Sequence, residues 1–175
     1  MPSPHRQIVE LASRLVAVES VNPALVPGGA GERAAAALVA EWCTERGLDV
    51  EVVGDERPSV IARRRGSGGG RSLLLNGHLD TVGVAGMTAP FEPRVENGRL
   101  YGRGSYDMKG ALAALLVAAA EASGLRGDVM GPVSPLSACN SSPVPASQTR
   151  AVSSALPVAI RFPSGEKATD SILSL

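Results

Sequence analysis

The sequence predicts an α/β fold, with helices packed on a mixed sheet, and three observations carry that expectation. Two amphipathic helical stretches come first, short runs rich in Val, Ile and Leu follow between glycine and proline turns, and a nearly all-apolar helix comes last.

Ser3-Pro4 make a cap and first-turn pair ahead of Ile8, Leu11, Ala12, Leu15 and Val16, so a first helix is expected to about Glu19. Asn22-Pro23 and Pro27-Gly28-Gly29 read as a loop. Helical spacing returns from Glu32 to Arg46 through Leu38, Val39 and Trp42, and Gly47 stops it. Leu48 to Val53 and Ser59 to Arg64 read as strands, and the glycine-rich turn from Arg65 to Gly70 leads into a third, Ser72 to Asn76. Glu96-Asn97-Gly98-Arg99 marks a tight turn between Pro93 to Val95 and Leu100 to Gly102. A third helix, starting near Asp107 or Met108 and ending near Ser123-Gly124, is apolar almost all round and should be buried on more than one side.

Composition narrows the function classes. A chain of 175 residues with 44% apolar content suffices for one compact unit, and 17 basic residues balance 17 acidic ones. No net field therefore draws the chain to nucleic acid. Arg63-Arg64-Arg65 and Arg71 flank a glycine-rich turn with few aromatics nearby, so no nucleic-acid partner is expected. Cys43 and Cys139 are too few for a disulfide framework, the first residues lack the apolar core of a secretory signal, and the apolar run 111–120 is too short to span a bilayer. A cytoplasmic protein with no membrane partner is the expectation. Cys43 reads as a small buried apolar group, and Trp42 and Phe91 as packing residues.

The composition changes after residue 129. From residue 131 onward there are ten serines, six prolines and five charged residues, without a sustained apolar period. We read 1–129 as the folded part and 130–175 as a Ser/Pro-rich tail, either irregular and disordered or translated out of its proper frame.

Two segments could carry chemistry. In Leu73-Leu74-Leu75-Asn76-Gly77-His78-Leu79-Asp80 an imidazole and a carboxylate stand two apart where a buried strand should end, so both side chains point the same way. A neutral imidazole ligates metal well, and a carboxylate on its other nitrogen would set its tautomer. The plainer reading is an ordinary Asn-Gly turn with both groups solvated. In Gly102-Arg103-Gly104-Ser105-Tyr106-Asp107-Met108-Lys109-Gly110 two glycines allow a sharp turn that brings Asp107 to the mouth of the third helix. Asp107 would there either cap free amides or bridge two metal ions. Lys109 reads as a solvated surface charge, and Arg103 either pairs with Asp107 or faces solvent.

Together the two segments closely resemble the zinc amidohydrolase and exopeptidase family of acetylornithine deacetylase, succinyl-diaminopimelate desuccinylase, aminoacylase and carboxypeptidase G. The resemblance runs from about His5 to Asp128, including Ser20-Val21-Asn22-Pro23 and Gly28-Gly29-Ala30-Gly31-Glu32, which look like the loop joining that family's first two helices. It implies the amino-terminal part of a mixed-sheet zinc-peptidase-like catalytic domain. It further implies two Zn2+ ions, with Co2+ as an alternative, and a small N-acyl amino acid or peptide as substrate. His78 would bind one zinc, Asp80 would orient His78, and Asp107 would bridge both metals. The family's strand ending in a Glu-Glu pair, which supplies the general base and a further ligand, is replaced here by Met130-Gly131-Pro132, and no histidine follows His78. The expectation is a truncated metallohydrolase, inactive as this chain alone, with a non-catalytic binding or regulatory module as the alternative. The oligomeric state stays open.

Overall fold

Apolar stripes, joined in the first helix by a side-chain cap, form the helices close to where the pattern placed them. In the computed structural model, which describes residues 2–134, 160–161 and 167–168, helix α1 spans Pro4–Ala17. The Ser3 hydroxyl accepts from the Arg6 N–H at 3.4 Å, and Leu11, Ala12, Leu15 and Val16 are buried. It stops two residues before Glu19 because Val18 turns extended and leads the chain toward the sheet. Helix α2 is Arg33–Glu45, and Gly47, at a φ of +69°, closes it with its N–H on the Thr44 carbonyl. Helix α3 is Gly110–Glu121, with Leu112, Ala113, Leu116, Val117 and Ala119 buried.

The strands are β1 (Asp49–Val53), β2 (Ser59–Arg64), β3 (Leu73–Leu74), β4 (Gly77–His78), β5 (Arg94–Glu96), β6 (Arg99–Tyr101) and β7 (Val129–Ser134). The main sheet runs β1-β2-β7-β3, and β4 also pairs with β7. Its pairings β1–β2 and β2–β7 are antiparallel, while β3 and β4 lie parallel to β7. This is the mixed α/β architecture expected from the sequence. The separate ladder β5–β6 turns at Asn97 and Gly98, both at positive φ, as a tight hairpin requires. Further along the chain, β8 (Ile160–Arg161) pairs antiparallel with β9 (Lys167–Ala168). The rest of the tail, where irregular structure was expected, lies outside the described residues.

Strand β7 runs through Met130-Gly131-Pro132, where an irregular tail was expected to begin at residue 130. Leu73 N–H donates to the Asp128 carbonyl at 2.9 Å and Leu75 N–H to the Met130 carbonyl at 2.8 Å, so the even-numbered residues of β7 present their backbone groups to β3. The next donor in that series would be residue 132, and proline has none. The ladder breaks there, separating β3 from β4. A Cβ on Gly131 would meet the Leu75 carbonyl at 2.7 Å, so the break depends on a glycine beside the proline. The interruption sits one turn of chain ahead of His78.

The core joins Leu11 and Leu15 of α1, Val39 and Trp42 of α2, Val60 of β2, Leu112 and Val117 of α3, and Val129 and Val133 of β7. The Arg46 guanidinium stacks 3.7 Å over the Trp42 ring. Cys43 is fully buried, which pushes its thiol up to about 11. None of the helices among the described residues is long and apolar enough to cross a membrane.

The arginine triplet is engaged within the fold. Arg63 faces Asp128, Arg65 pairs with Asp49 at 2.6 Å, and Arg64 donates to the Arg46 carbonyl at 2.9 Å and the Ala120 carbonyl at 2.7 Å. Arg64 thus ties the carboxyl ends of α2 and α3, whose last carbonyls lack helical partners, to the sheet. Arg64→Met, which keeps most of the stem, is expected to lower stability by about 2 kcal/mol, measured as a lower urea midpoint with an unchanged slope.

Candidate metal centre

The site begins with how β4 ends. Pairing to β7 aligns His78 with Ser134, Leu79 turns into the core, and Asp80 follows, fully buried. A second segment runs alongside. Val21 forms a parallel bridge with Thr81, Thr81 N–H donates to the Ser20 carbonyl at 2.9 Å, and Asn22 N–H donates to the Thr81 carbonyl at 3.0 Å. The Ser20 hydroxyl adds a bond to the Leu79 carbonyl at 2.7 Å. This clamp places the Asn22 carboxamide against Asp80, with Nδ2 2.8 Å from Oδ2.

The second wall is the loop between β6 and α3. Gly102, at a φ of +143°, and Gly104, at +79°, make the turn, and a Cβ on either would strike Val16 or Thr81. Helix α3 starts only at Gly110, so Asp107 stands three residues before it in extended backbone and caps nothing. The peptide bond from Asp107 to Met108 is cis, and the Met108 sulfur accepts the His78 N–H at 3.4 Å.

These two segments bring His78, Asp80 and Asp107 together. His78 Nδ1 lies 3.0 Å from the Asp80 carbonyl oxygen and 3.3 Å from its Oδ1, and Nε2 lies 3.1 Å from Asp107 Oδ1. The Asp80 side chain is 1% exposed and that of Asp107 79%. One carboxylate therefore holds the ring from inside while the other waits at the surface. Burial of the ring pulls its pKa down, and the hydrogen bond and charge of Asp80, with the charge of Asp107, more than offset this, leaving it above the ordinary value.

Lys109 departs from its expected place on the surface. Its side chain is buried, and Nζ donates to the Val18 carbonyl at 2.7 Å, just past the end of α1. The residue is drawn in because the loop folds back after Gly104, with Lys109 N–H on the Gly104 carbonyl at 2.8 Å. Burial lowers the ammonium to about 8, which the Glu19 charge does not offset. Between that value and the free-lysine value of 10.5 the folded chain holds fewer protons than the unfolded one, so this residue makes stability rise with pH. The full cost applies below about pH 8. Lys109→Met is expected to lose that rise, on the order of 3 kcal/mol, in paired urea titrations at pH 7.5 and 10.

Other residues were missed or left open by the sequence. Asn22 and Ser20 drew attention only as part of a loop; Asn-Pro after a helix was the one available signal. Arg103 is held through its backbone, whose N–H donates to the Pro90 carbonyl at 2.7 Å, and its side-chain Nε is buried without a hydrogen-bond partner instead of facing solvent.

The donors suit a divalent cation. With Nδ1 facing two acceptor oxygens, a neutral ring carries its proton there, and the Nε2 lone pair then faces a carboxylate oxygen. A proton on Nε2 or a cation between the two atoms would satisfy that contact. The 3.1 Å spacing suits two ligands on one ion with bonds of about 2.0–2.2 Å. Among the described residues no group of three or more His, Cys, Asp or Glu that could hold a metal ion is assembled, so the pair offers two donors.

The same stretch of chain is similar to known proteins. Residues 74–134 match the model of peptidase family M20/M25/M40. Succinyl-diaminopimelate desuccinylase of Sphingopyxis alaskensis is 42% identical over 115 residues, covering 64% of this chain and 30% of that protein. The fold is shared with an M20 family metallo-carboxypeptidase from Sulfolobus solfataricus (TM-score 0.61, 23% identity, 76% of this chain and 30% of the other). It is shared too with a dinuclear metal binding peptidase of the M20 family from Bacillus subtilis (TM-score 0.55, 16% identity, 75% and 35%). The chain spans about a third of the length of the curated relatives it matches. His78, Asp80 and Asp107 all lie within the residues that match the model of peptidase family M20/M25/M40.

Proposed function

We propose that His78 and Asp107 are ligands of a dinuclear metal centre for amide-bond hydrolysis, with Asp80 orienting the ring. The observation that carries this reading is the contact between His78 Nε2 and Asp107 Oδ1, made while Asp80 pins the opposite nitrogen. His78 would hold one ion and Asp107, open to solvent, would bridge two. A bound divalent ion supplies Lewis acidity toward a water and an amide carbonyl. Asp80 stays buried and keeps the Nδ1 proton in place, which raises the basicity of Nε2. The ions would be zinc, with cobalt accepted by the same donors. The substrate would be a small N-acyl amino acid or peptide, handled in the cytoplasm without nucleic acid or membrane.

The reading includes a limit on what this chain does alone. Catalytic zinc takes three protein ligands, and the described residues bring two together. General-base catalysis, worth roughly 10²- to 10⁴-fold, has no candidate beside them among the described residues. On the described residues alone, metal would bind weakly and substrate would not turn over. A non-catalytic binding module derived from the same family is the second reading, favoured by that same shortage of ligands.

The test is a Co2+ titration of the full chain followed by visible absorption. Saturable binding that is lost in both His78→Ala and Asp107→Ala supports the proposal. Binding that survives both substitutions sinks it. Hydrolysis of N-succinyl-diaminopimelate or of N-acetyl amino acids by the purified chain would overturn its assignment as inactive.

A further inference from the structure

Asn22 touches no atom that would meet a metal ion, yet its carboxamide is one of the most constrained side chains near the site. Its backbone N–H is held by the Thr81 carbonyl, and its Oδ1 accepts the Ala24 N–H at 2.9 Å. The second bond decides the orientation of the amide. With Oδ1 committed to a donor, the group facing Asp80 must be the NH2, and Nδ2 lies 2.8 Å from Asp80 Oδ2.

We propose that Asn22 is a positioning residue, which fixes the Asp80 carboxylate so that the His78 ring presents Nε2 to Asp107. The inference rests on the reading of His78 as a metal ligand and extends it one residue further from the ion. Asp80 is a buried carboxylate, so each oxygen needs a donor. Asn22 satisfies Oδ2 from one side, which sets the rotation of the carboxylate and brings Oδ1 to 3.3 Å from His78 Nδ1. The Asp80 carbonyl oxygen, at 3.0 Å, is the second acceptor for that nitrogen. The ring is then held in one tautomer and one orientation, with the opposite nitrogen 3.1 Å from Asp107. The chain order runs Ala24 N–H, Asn22, Asp80, His78, Asp107. A loop after α1 thereby sets the aim of a ligand that the sheet carries.

A merely structural asparagine would stabilise the loop and leave the ring unchanged, so the ring is what must be read. In the metal-free full chain, at a pH where His78 is neutral, long-range proton–nitrogen spectra are expected to show the Nδ1–H tautomer for His78. Asn22→Leu is expected to give a mixture of tautomers and to weaken Co2+ binding roughly ten-fold, at a temperature well below its melting midpoint. If Asn22→Leu is folded with a lower midpoint but keeps the Nδ1–H tautomer and the original Co2+ affinity, the role is structural and the proposal is overturned. Should that variant not fold, Asn22→Ser, too short to reach Asp80, is read by the same two measurements. An Nε2–H tautomer in the unmutated chain would overturn the proposal without any variant. The two readings fail separately: undiminished Co2+ binding by His78→Ala removes the metal assignment, while the tautomer still decides the part played by Asn22.

Discussion

Gly102→Ala is expected to destabilise the fold by about 2–5 kcal/mol, enough to populate the unfolded chain at ordinary temperature in a domain of this size. Gly102 sits at a φ of +143°, which side-chain-bearing residues rarely adopt, and its added Cβ would collide with the Val16 side chain in the fully buried stripe of α1. The two costs act together, because relieving the clash moves α1 and relieving the backbone strain moves the loop to Asp107. Circular dichroism melting measures the first effect. The second is read from Co2+ affinity under conditions where the variant remains folded: a midpoint within a degree or two of the original would show that the loop adapts and that the turn is not held by Val16.

The second large effect is expected from Asp80→Ala. Asp80 meets His78 Nδ1 on one side and Asn22 Nδ2 on the other, all inside the fold. Removing its carboxylate leaves the Asn22 Nδ2 donor without the acceptor it is built around, which costs about 1–3 kcal/mol in stability. It also takes away one of the two acceptors at His78 Nδ1, leaving the backbone carbonyl of residue 80 as the other and the ring less firmly held. Metal affinity is expected to fall 10- to 100-fold, the usual loss when the partner behind a ligating histidine is removed. Asp80→Asn separates the two roles, since it restores bulk and one acceptor while removing the charge. Co2+ titration of both variants measures this, and equal affinity in Asp80→Ala and the unmutated chain would mean that the Asp80 carboxylate does not orient His78.

The strain at Gly102 and the buried position of Asp80 mark the boundary between what local chemistry announces and what packing decides. Helix α1 was legible because Ser3, Pro4 and a regular apolar stripe act within a few residues of one another. The same holds for the Asn97-Gly98 turn and for strand β2, whose limits match the expected ones. Strand β7 was not legible. Pro132 argues against a central strand on local grounds, yet pairing to β2 from Val129 to Val133 holds it in the sheet while the ladder to β3 and β4 opens around the missing donor.

The site divides in the same way. His78 and Asp80 stand two residues apart, and the extended backbone alone sets them near each other. Asp107 is 29 residues from His78, and the resemblance to a family, not spacing, suggested that they meet. The closeness itself comes from the glycine turn at Gly102 and Gly104 and from Lys109 being pulled inward onto the Val18 carbonyl. A lysine on the surface and a lysine beneath a loop have the same local sequence, because burial depends on what folds over the residue.

What the sequence by itself determined was the α/β class, the helical stripes, and the chemistry of an imidazole with two carboxylates. Those follow from periodicity and side-chain type, which act over a few residues. The tertiary structure alone decided the passage of β7 through a proline, the burial of Lys109, and the placing of Asn22 behind Asp80. Each of these depends on hydrogen bonds between segments distant along the chain, and only the folded backbone brings such partners within reach.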